Sequence, residues 1–440
     1  MNEETKTAAL ETCLDQTDRF QELLQALAQR GDTDLERVEP AVREILKAVR
    51  AEGDAAVLRY VHQFEGRQPK NLLVRDYGGK EALASLSPNL RSALEIAADR
   101  IRSYHLRQVE QQKTFTYEEG GVLLGSRVTP VQRAGVYAPG GKACYPSSVL
   151  MCAVPAQVAG VEEIYLASPD TSPEVRAACH LAGVTALVDA GGAQAIAAMA
   201  YGTESVPPVD KIVGPGNIFV AAAKRLVFGQ VDIDSIAGPS EILVLADDSA
   251  NPDVVAADLL SQAEHDEDAY PLLITLSEEM AQKCSAAVEQ QLAALPELDS
   301  RGRPRRAVAA ASVKNHGHTL VVRSRERLLA VANQLAGEHV SIQMEAPEEI
   351  VDGLTRAGAI FIGHHTPEAA GDYLAGPSHV LPTGGAARFG APLGVYDFIS
   401  RSSLIGYSAQ ALREQARPIC DLARAEGLEA HARAVEVRLK

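Results

Sequence analysis

Tryptophan is absent from the 440 residues, and aromatic residues make up only 5% of them. Stacking platforms for single-stranded nucleic acid are therefore scarce. Basic blocks are missing as well: 42 Lys and Arg stand against 58 Asp and Glu, a net charge of −16. A surface that acidic repels phosphate backbones, so no nucleic-acid partner is expected. No apolar run reaches membrane-spanning length, and no membrane partner is expected. The longest run, Val149 to Val161, contains Pro155 and Gln157 and ends at Glu162 and Glu163. The first residues carry Glu3, Glu4 and Glu11 and read as no export signal. None of the six cysteines forms a C-x-x-C pair, which argues against a thiolate zinc site and a redox dithiol. Reduced thiols in a cytoplasm are the expectation. G-x-G-x-x-G, the usual dinucleotide fingerprint, is missing too.

What remains is ordinary globular composition, long enough for about two to four domains. The first 110 residues read as helices. One covers Glu39 to Arg50; another follows Ser87-Pro88, a cap with Pro at the first helical position, and carries Leu90, Leu94, Ala97, Ile101 and Tyr104 at three- and four-residue steps. Strand text runs from Gly121 to Pro139. Short apolar runs then alternate with helices, which implies buried parallel sheet. The first set has strands at 164–167, 186–188 and 211–213. The second has strands at 242–245, 272–275, 320–322 and 360–362, with helices including Pro252 to His265 and Arg325 to Leu335. Asp299 to Val308 reads as an exposed basic loop, 371–394 as Gly/Pro-rich loop, and Ser408 to Lys440 as helices.

Several residues could carry chemistry. Glycine turns follow strands at Pro139-Gly140-Gly141, Gly191-Gly192, Gly214-Pro215-Gly216-Asn217 and Gly238-Pro239-Ser240-Glu241. Such turns let backbone N–H groups approach a phosphate, although each alone is more often a plain tight turn. Gln262 and His265 share a helix face and offer oxygen and nitrogen ligands to zinc. A helix His flanked by Glu264 and Asp266 is more often a solvated polar residue. Glu338 and His339 stand side by side where a strand begins, as an acid–base pair would, or as a plain strand terminus. The residues by themselves imply an α/β enzyme, with nucleotide and metal both left open.

Longer motifs go further. GVYAPGG (135–141), YPSSVLM (145–151), DAGGAQAIAA (189–198), VDKIVGPGN (209–217) and IAGPSEILVLAD (236–247) are followed by DLLSQAEHD (258–266), GDYLAGPSHVLPT (371–383), GVYDFISRSS (394–403) and EGLEAHARAV (426–435). With these motifs in this order, the chain resembles the histidinol dehydrogenases over nearly its whole length. The resemblance implies an α/β fold of two incomplete Rossmann-like (aldehyde-dehydrogenase-like) domains with a helical N-terminal region and a helical C-terminal tail. The expected zinc and substrate domain joins residues 1–130 to 240–380, and the expected NAD-binding domain is 131–239. The tail, 381–440, is expected to serve dimerisation.

It also implies a site. Zinc falls to Gln262, His265, Asp372 and His431, and the acid–base pair is Glu338 and His339. Ser240 and Glu426, with His339 and the zinc ligands, would contact substrate. Tyr137, Gln194 and Asn217 would contact NAD. The family's tail crosses to a second subunit, so Glu426 and His431 would complete the site of a homodimer partner. The implied reaction is oxidation of L-histidinol through L-histidinal to L-histidine by two NAD, the end of histidine biosynthesis. A related zinc- and NAD-dependent dehydrogenase of another small polar alcohol is the alternative, and a non-enzymatic metal- or nucleotide-binding module is the more distant one. Departures from the family pattern touch no expected ligand or proton carrier, but Gly337 precedes Glu338 where many members have Pro, which would loosen the backbone that aims Glu338 and His339.

Overall fold

A computed structural model describes residues 9–31, 35–140 and 145–440. Gly141 of the first glycine turn, Cys144, and the acidic residues Glu3 and Glu4 lie outside the described residues. Strand β1 (Glu11–Leu14) and helix α1 (Asp18–Ala28) come first. Helices α2 (Leu35–Glu52) and α3 (Asp54–Glu65), strand β2 (Leu73–Val74), and helices α4 (Gly79–Ser85) and α5 (Pro88–Gln111) follow. A hairpin, β3 (Phe115–Glu119) and β4 (Val122–Pro130), leads into the first β/α run. That run is β5 (Arg133–Tyr137), α6 (Pro146–Ala159), β6 (Glu163–Ala167), α7 (Pro173–Leu181), β7 (Ala186–Val188), α8 (Gly192–Tyr201), β8 (Lys211–Val213), α9 (Ile218–Val227) and β9 (Asp232–Ile233). The second run opens with β10 (Glu241–Ala246), α10 (Pro252–Ala263), β11 (Tyr270–Thr275), α11 (Glu278–Ala294) and α12 (Arg305–His316). It continues through β12 (His318–Val321), α13 (Arg325–Leu335), β13 (His339–Gln343), α14 (Glu348–Val351), β14 (Ala359–Ile362) and α15 (Glu368–Tyr373). Strand β15 (Ile399–Tyr407) and helices α16 (Ala409–Ala425) and α17 (Glu429–Glu436) complete the chain.

Two six-stranded sheets organise these elements. Sheet I has the order β2-β7-β6-β5-β8-β9 and sheet II the order β1-β12-β11-β10-β13-β14. Sheet II is parallel throughout, and sheet I is parallel apart from the β2–β7 pair. Helices cover both faces of each, so strands such as β10 are buried at every position. In sheet I, α2, α3, α8 and α9 build one core, and α5, α6 and α7 the other. In sheet II, α1 and α13 lie on one face, with α10, α11 and α12 on the opposite one. The α/β class with a helical N-terminal region and a helical tail is what the sequence predicts.

Three details differ from the sequence reading. That reading groups residues 1–130 with the 240–380 layer. They divide instead: β1 pairs with β12 of sheet II, whereas β2 pairs with β7 and α2 packs through Val38, Val42, Ile45, Leu46 and Val49 into the core of sheet I. Helical periodicity shows which face is buried, not which sheet it meets. The basic stretch 299–308 is only partly loop, since Arg305 opens α12. Helix α15 and strand β15 occupy text read as loop or left unread; β15 pairs antiparallel with β4 along nine residues, in a separate three-stranded sheet.

Candidate active site

The two sheets each change winding direction at a central strand. In sheet II, β10 lies between β11 and β13, and Ile242 is paired with His339. The starts of β10 and β13 therefore lie side by side, with Ser240 and Glu241 next to Glu338 and His339. Parallel pairing is what unites two motifs about a hundred residues apart.

Glu338 and His339 are both buried, at 6% and 4% exposure. The main-chain N–H of Glu241 donates to Glu338 Oε2 at 2.8 Å. His339 Nδ1 lies 3.0 Å from the carbonyl oxygen of Glu241. That carbonyl can only accept, so Nδ1 carries the hydrogen and Nε2 is left as the basic nitrogen. Nε2 points toward Glu368 Oε1 at 3.7 Å and Asp372 Oδ1 at 3.8 Å. The ring lies over Phe361, with centroids 5.9 Å apart. Burial alone lowers the basicity of His339, but Glu338, Asp372 and Glu368 outweigh it and hold the imidazole well above its ordinary value. Burial pushes Glu338 up, against the pull of His339.

Helix α15 supplies the opposite wall. Glu368 and Asp372 are four residues apart and share one face. Gly371 lets that helix close in, because a Cβ there would sit 2.7 Å from the Phe361 ring. Glu368 is buried and bound by α10: Ser261 Oγ donates to its Oε2 at 2.8 Å and Gln262 Nε2 to its Oε1 at 2.6 Å. Burial and the neighbouring Asp372 raise its carboxyl group. Asp372 moves the other way, because His339 and His379 outweigh its burial. His379 Nδ1 donates to the main-chain oxygen of Asp372 at 3.1 Å. Helix α10 ends at Ala263 and not at His265, so His265 lies in the following turn. It remains within electrostatic reach of Asp372 and His339; although the residue is partly open to solvent, desolvation holds its imidazole below its ordinary value, with His339 adding to the fall and Asp372 opposing it. Arg305 Nη1 donates to the carbonyl oxygen of Glu264 at 2.8 Å and so caps α10 beside it.

The donor set fits a cation. Gln262 spends its amide nitrogen on Glu368, and its buried Oε1 has no hydrogen-bond partner. His339, Glu368 and Asp372 offer ligand atoms within 4.8 Å of one another. Nitrogen and oxygen donors without sulfur suit zinc. Asp372 belongs both to this cluster and to the set expected from sequence.

The NAD candidates gather on sheet I. Strand β5 lies between β6 and β8, so the winding reverses there, and ligands of open α/β sheets bind beyond the strand ends at such a point. Tyr137 ends β5, Gln194 lies in the first turn of α8, and Asn217 caps α9 after β8. Tyr137 and Gln194 are buried at 5% and 2%. The Tyr137 hydroxyl accepts from Gly192 N at 3.1 Å. Asn217 Oδ1 accepts from the N–H groups of Phe219 and Val220, leaving its amide nitrogen for other partners.

The family model for histidinol dehydrogenase matches residues 28–439. This chain belongs to the histidinol dehydrogenase family. Histidinol dehydrogenase from Syntrophotalea carbinolica is 51% identical over 96% of this chain and 97% of its own length. The one from Aquifex aeolicus is 49% identical over the same shares. The crystal structure of histidinol dehydrogenase from Elizabethkingia anophelis superposes with a TM-score of 0.90 at 34% identity, covering 98% of each chain. The chain is accordingly an enzyme, an NAD-dependent oxidoreductase of the kind that family comprises.

Against this histidinol dehydrogenase frame, the fold unites Ser240, Gln262, His265, Glu338, His339 and Asp372. Two expected residues stay apart. Glu426 and His431 are exposed on the tail, and among the described residues neither side chain bonds to the site. Sequence reasoning missed Glu368, His379 and Phe361. Glu368 was legible only as a residue four before Asp372, once 368–373 is known to be helical.

Proposed function

We propose that this protein is a zinc-dependent L-histidinol dehydrogenase that makes L-histidine in two NAD-dependent oxidations, with L-histidinal held between them. The observation that carries the reading is the buried His339, with Nδ1–H committed to Glu241 O and Nε2 facing the carboxylate wall beside the unpartnered Gln262 Oε1. Tyr137, Gln194 and Asn217, where sheet I reverses its winding, would hold NAD, which when bound would supply the hydride acceptor for both oxidations. Gln262, His265 and Asp372, with His431 from a second copy, would hold zinc, which when bound would supply positive charge to offset the carboxylates and to orient the substrate's nitrogens. The chain's own groups handle the protons. His339 Nε2 accepts the alcohol proton in the first oxidation. Glu338, raised by burial and bound through Glu241 N, draws a proton from the water that adds to the aldehyde. Ser240 and Glu426 hold the substrate, and the Glu426 carboxylate suits its cationic amine.

A homodimer follows from this reading, since the tail residues must reach another copy's site. The free, buried Cys13, Cys152, Cys179, Cys284 and Cys420 fit a reducing cytoplasm. Among the described residues, no helix is long and apolar enough to cross a membrane. NADH formation with L-histidinol tests the reading. Two NADH per L-histidinol are expected; turnover of another small polar alcohol in its place would favour the alternative.

A further inference from the structure

Both reactive side chains hang on one residue outside the reaction itself. Glu241 gives its N–H to Glu338 Oε2 at 2.8 Å and its carbonyl oxygen to His339 Nδ1 at 3.0 Å. Its own carboxylate is 1% exposed with the residue, and it gathers three donors: Arg30 Nη2 at 2.6 Å, Gly384 N at 2.7 Å and Glu338 N at 3.3 Å. Arg30 is equally enclosed. Its remaining bonds run to Leu27 O at 2.7 Å and to Leu335 O at 2.9 Å.

These partners come from separate parts of the fold. Leu27 lies in α1, and Leu335 ends α13 just before the turn into Glu338. Gly384 lies in the loop leading to the tail. It approaches Gly31 so closely that a Cβ on either would meet the other's backbone at 2.4 Å, and its φ is +61°. One carboxylate therefore fixes the starts of β10 and β13 relative to each other and to two further segments. A buried ion pair adds little net stability, because desolvation offsets its attraction. What it supplies here is geometry: five bonds of known direction around the acid–base pair.

We propose that Glu241, locked by Arg30, is a positioning residue that aims the Glu338 carboxylate and the His339 ring for proton transfer. The inference rests on the reading of Glu338 and His339 as the acid–base pair. In Glu241→Gln the amide can no longer accept on both arms, so Glu338 N or Gly384 N loses its acceptor. A buried Arg30 without its carboxylate can also unfold the chain, so R30M/E241Q, which removes both charges, is measured beside it. Zinc-loaded full-length protein is assayed for kcat, for KM of L-histidinol and NAD, and for zinc stoichiometry. Expected is a fall in kcat of about 10–100-fold at unchanged zinc content and unchanged KM for NAD, the size that misaimed reacting groups produce. Turnover within about twofold of the parent in either folded variant overturns the proposal, as does a loss that tracks zinc loss. If both variants fail to fold, Arg30→Lys, which keeps the charge balance, decides by the same criteria. His339→Asn is run in parallel: full activity there sinks the underlying reading, whereas an inactive H339N beside a fully active E241Q sinks only this inference.

Discussion

Gln262 Nε2 donates to Glu368 Oε1 at 2.6 Å, and that one bond decides which end of the Gln262 amide faces the site. With the nitrogen committed, the oxygen is presented as a ligand with no other partner. In the proposed zinc site Glu368 would act on the metal through Gln262, as outer-shell carboxylates commonly do.

Removing that hold should weaken the metal. In Glu368→Ala the amide is released and the Ser261 hydroxyl loses its acceptor. Zinc affinity is expected to fall by about 10–100-fold, measured by competition with a chromogenic chelator. Unchanged affinity would separate Glu368 from the metal site altogether. In Gln262→Ala the ligand itself goes, and zinc stoichiometry by elemental analysis should fall with activity.

The two carboxyl-side roles predict a split between half-reactions. His339→Asn should slow oxidation of L-histidinol by about 10²–10⁴-fold. Glu338→Gln should act mainly on the second half, read as NADH formed from supplied L-histidinal. Equal losses in both halves for both variants would mean that the pair works as one unit.

Asp258, one turn before Gln262 on α10, predicts a pH effect on stability that needs none of the proposed proton transfers. Burial pushes its carboxyl up to about 6, although Gln343 Nε2 donates to it at 2.7 Å and Ser341 Oγ lies 3.4 Å away. A raised acid holds its proton more tightly when folded than when unfolded. Folding is thus disfavoured progressively as pH rises from about 4 through about 6, and the penalty is full above that. Asp258→Asn removes the titration and keeps an acceptor for Gln343. Its Tm should match the parent near pH 4 and exceed it by about 1–3 °C at pH 8. A constant difference across that range would disprove the linkage.

How far the sequence could be read depended on the range of the forces involved. Helix α13 was legible to the residue, because Ser324 caps it and its apolar stripe is local. The start of β13 at His339 was legible for a similar reason. Strand β1 was not: its four residues pair only with β12, some three hundred positions away. Helix α15 is six residues long and hides in Gly/Pro-rich text, where Gly371 reads as a breaker although it is what lets the helix close on the Phe361 ring. Arg305 read as a solvated loop charge, since nothing local announces that it caps α10. Among site residues, Gln262, Glu338 and His339 could be singled out by type and spacing. Asp372 and His431 came from the family resemblance alone, and Glu368 needed the folded chain.

The tail offers the sharpest test of the dimer. Strand β15 pairs with β4, and α16 and α17 follow, leaving Glu426 and His431 exposed. If they serve the other copy's site, two inactive variants should rescue each other. His431→Ala keeps a sound core but gives its partner a defective tail, and His339→Asn does the reverse. Denatured together and refolded as a mixture, half the dimers should be mixed, and each mixed dimer holds one site built from the intact core and the intact tail. About a quarter of parental activity is expected from this statistical pairing. A mixture as inactive as its components would place His431 in the site of its own chain, and a fully active His431→Ala would place it outside the site entirely.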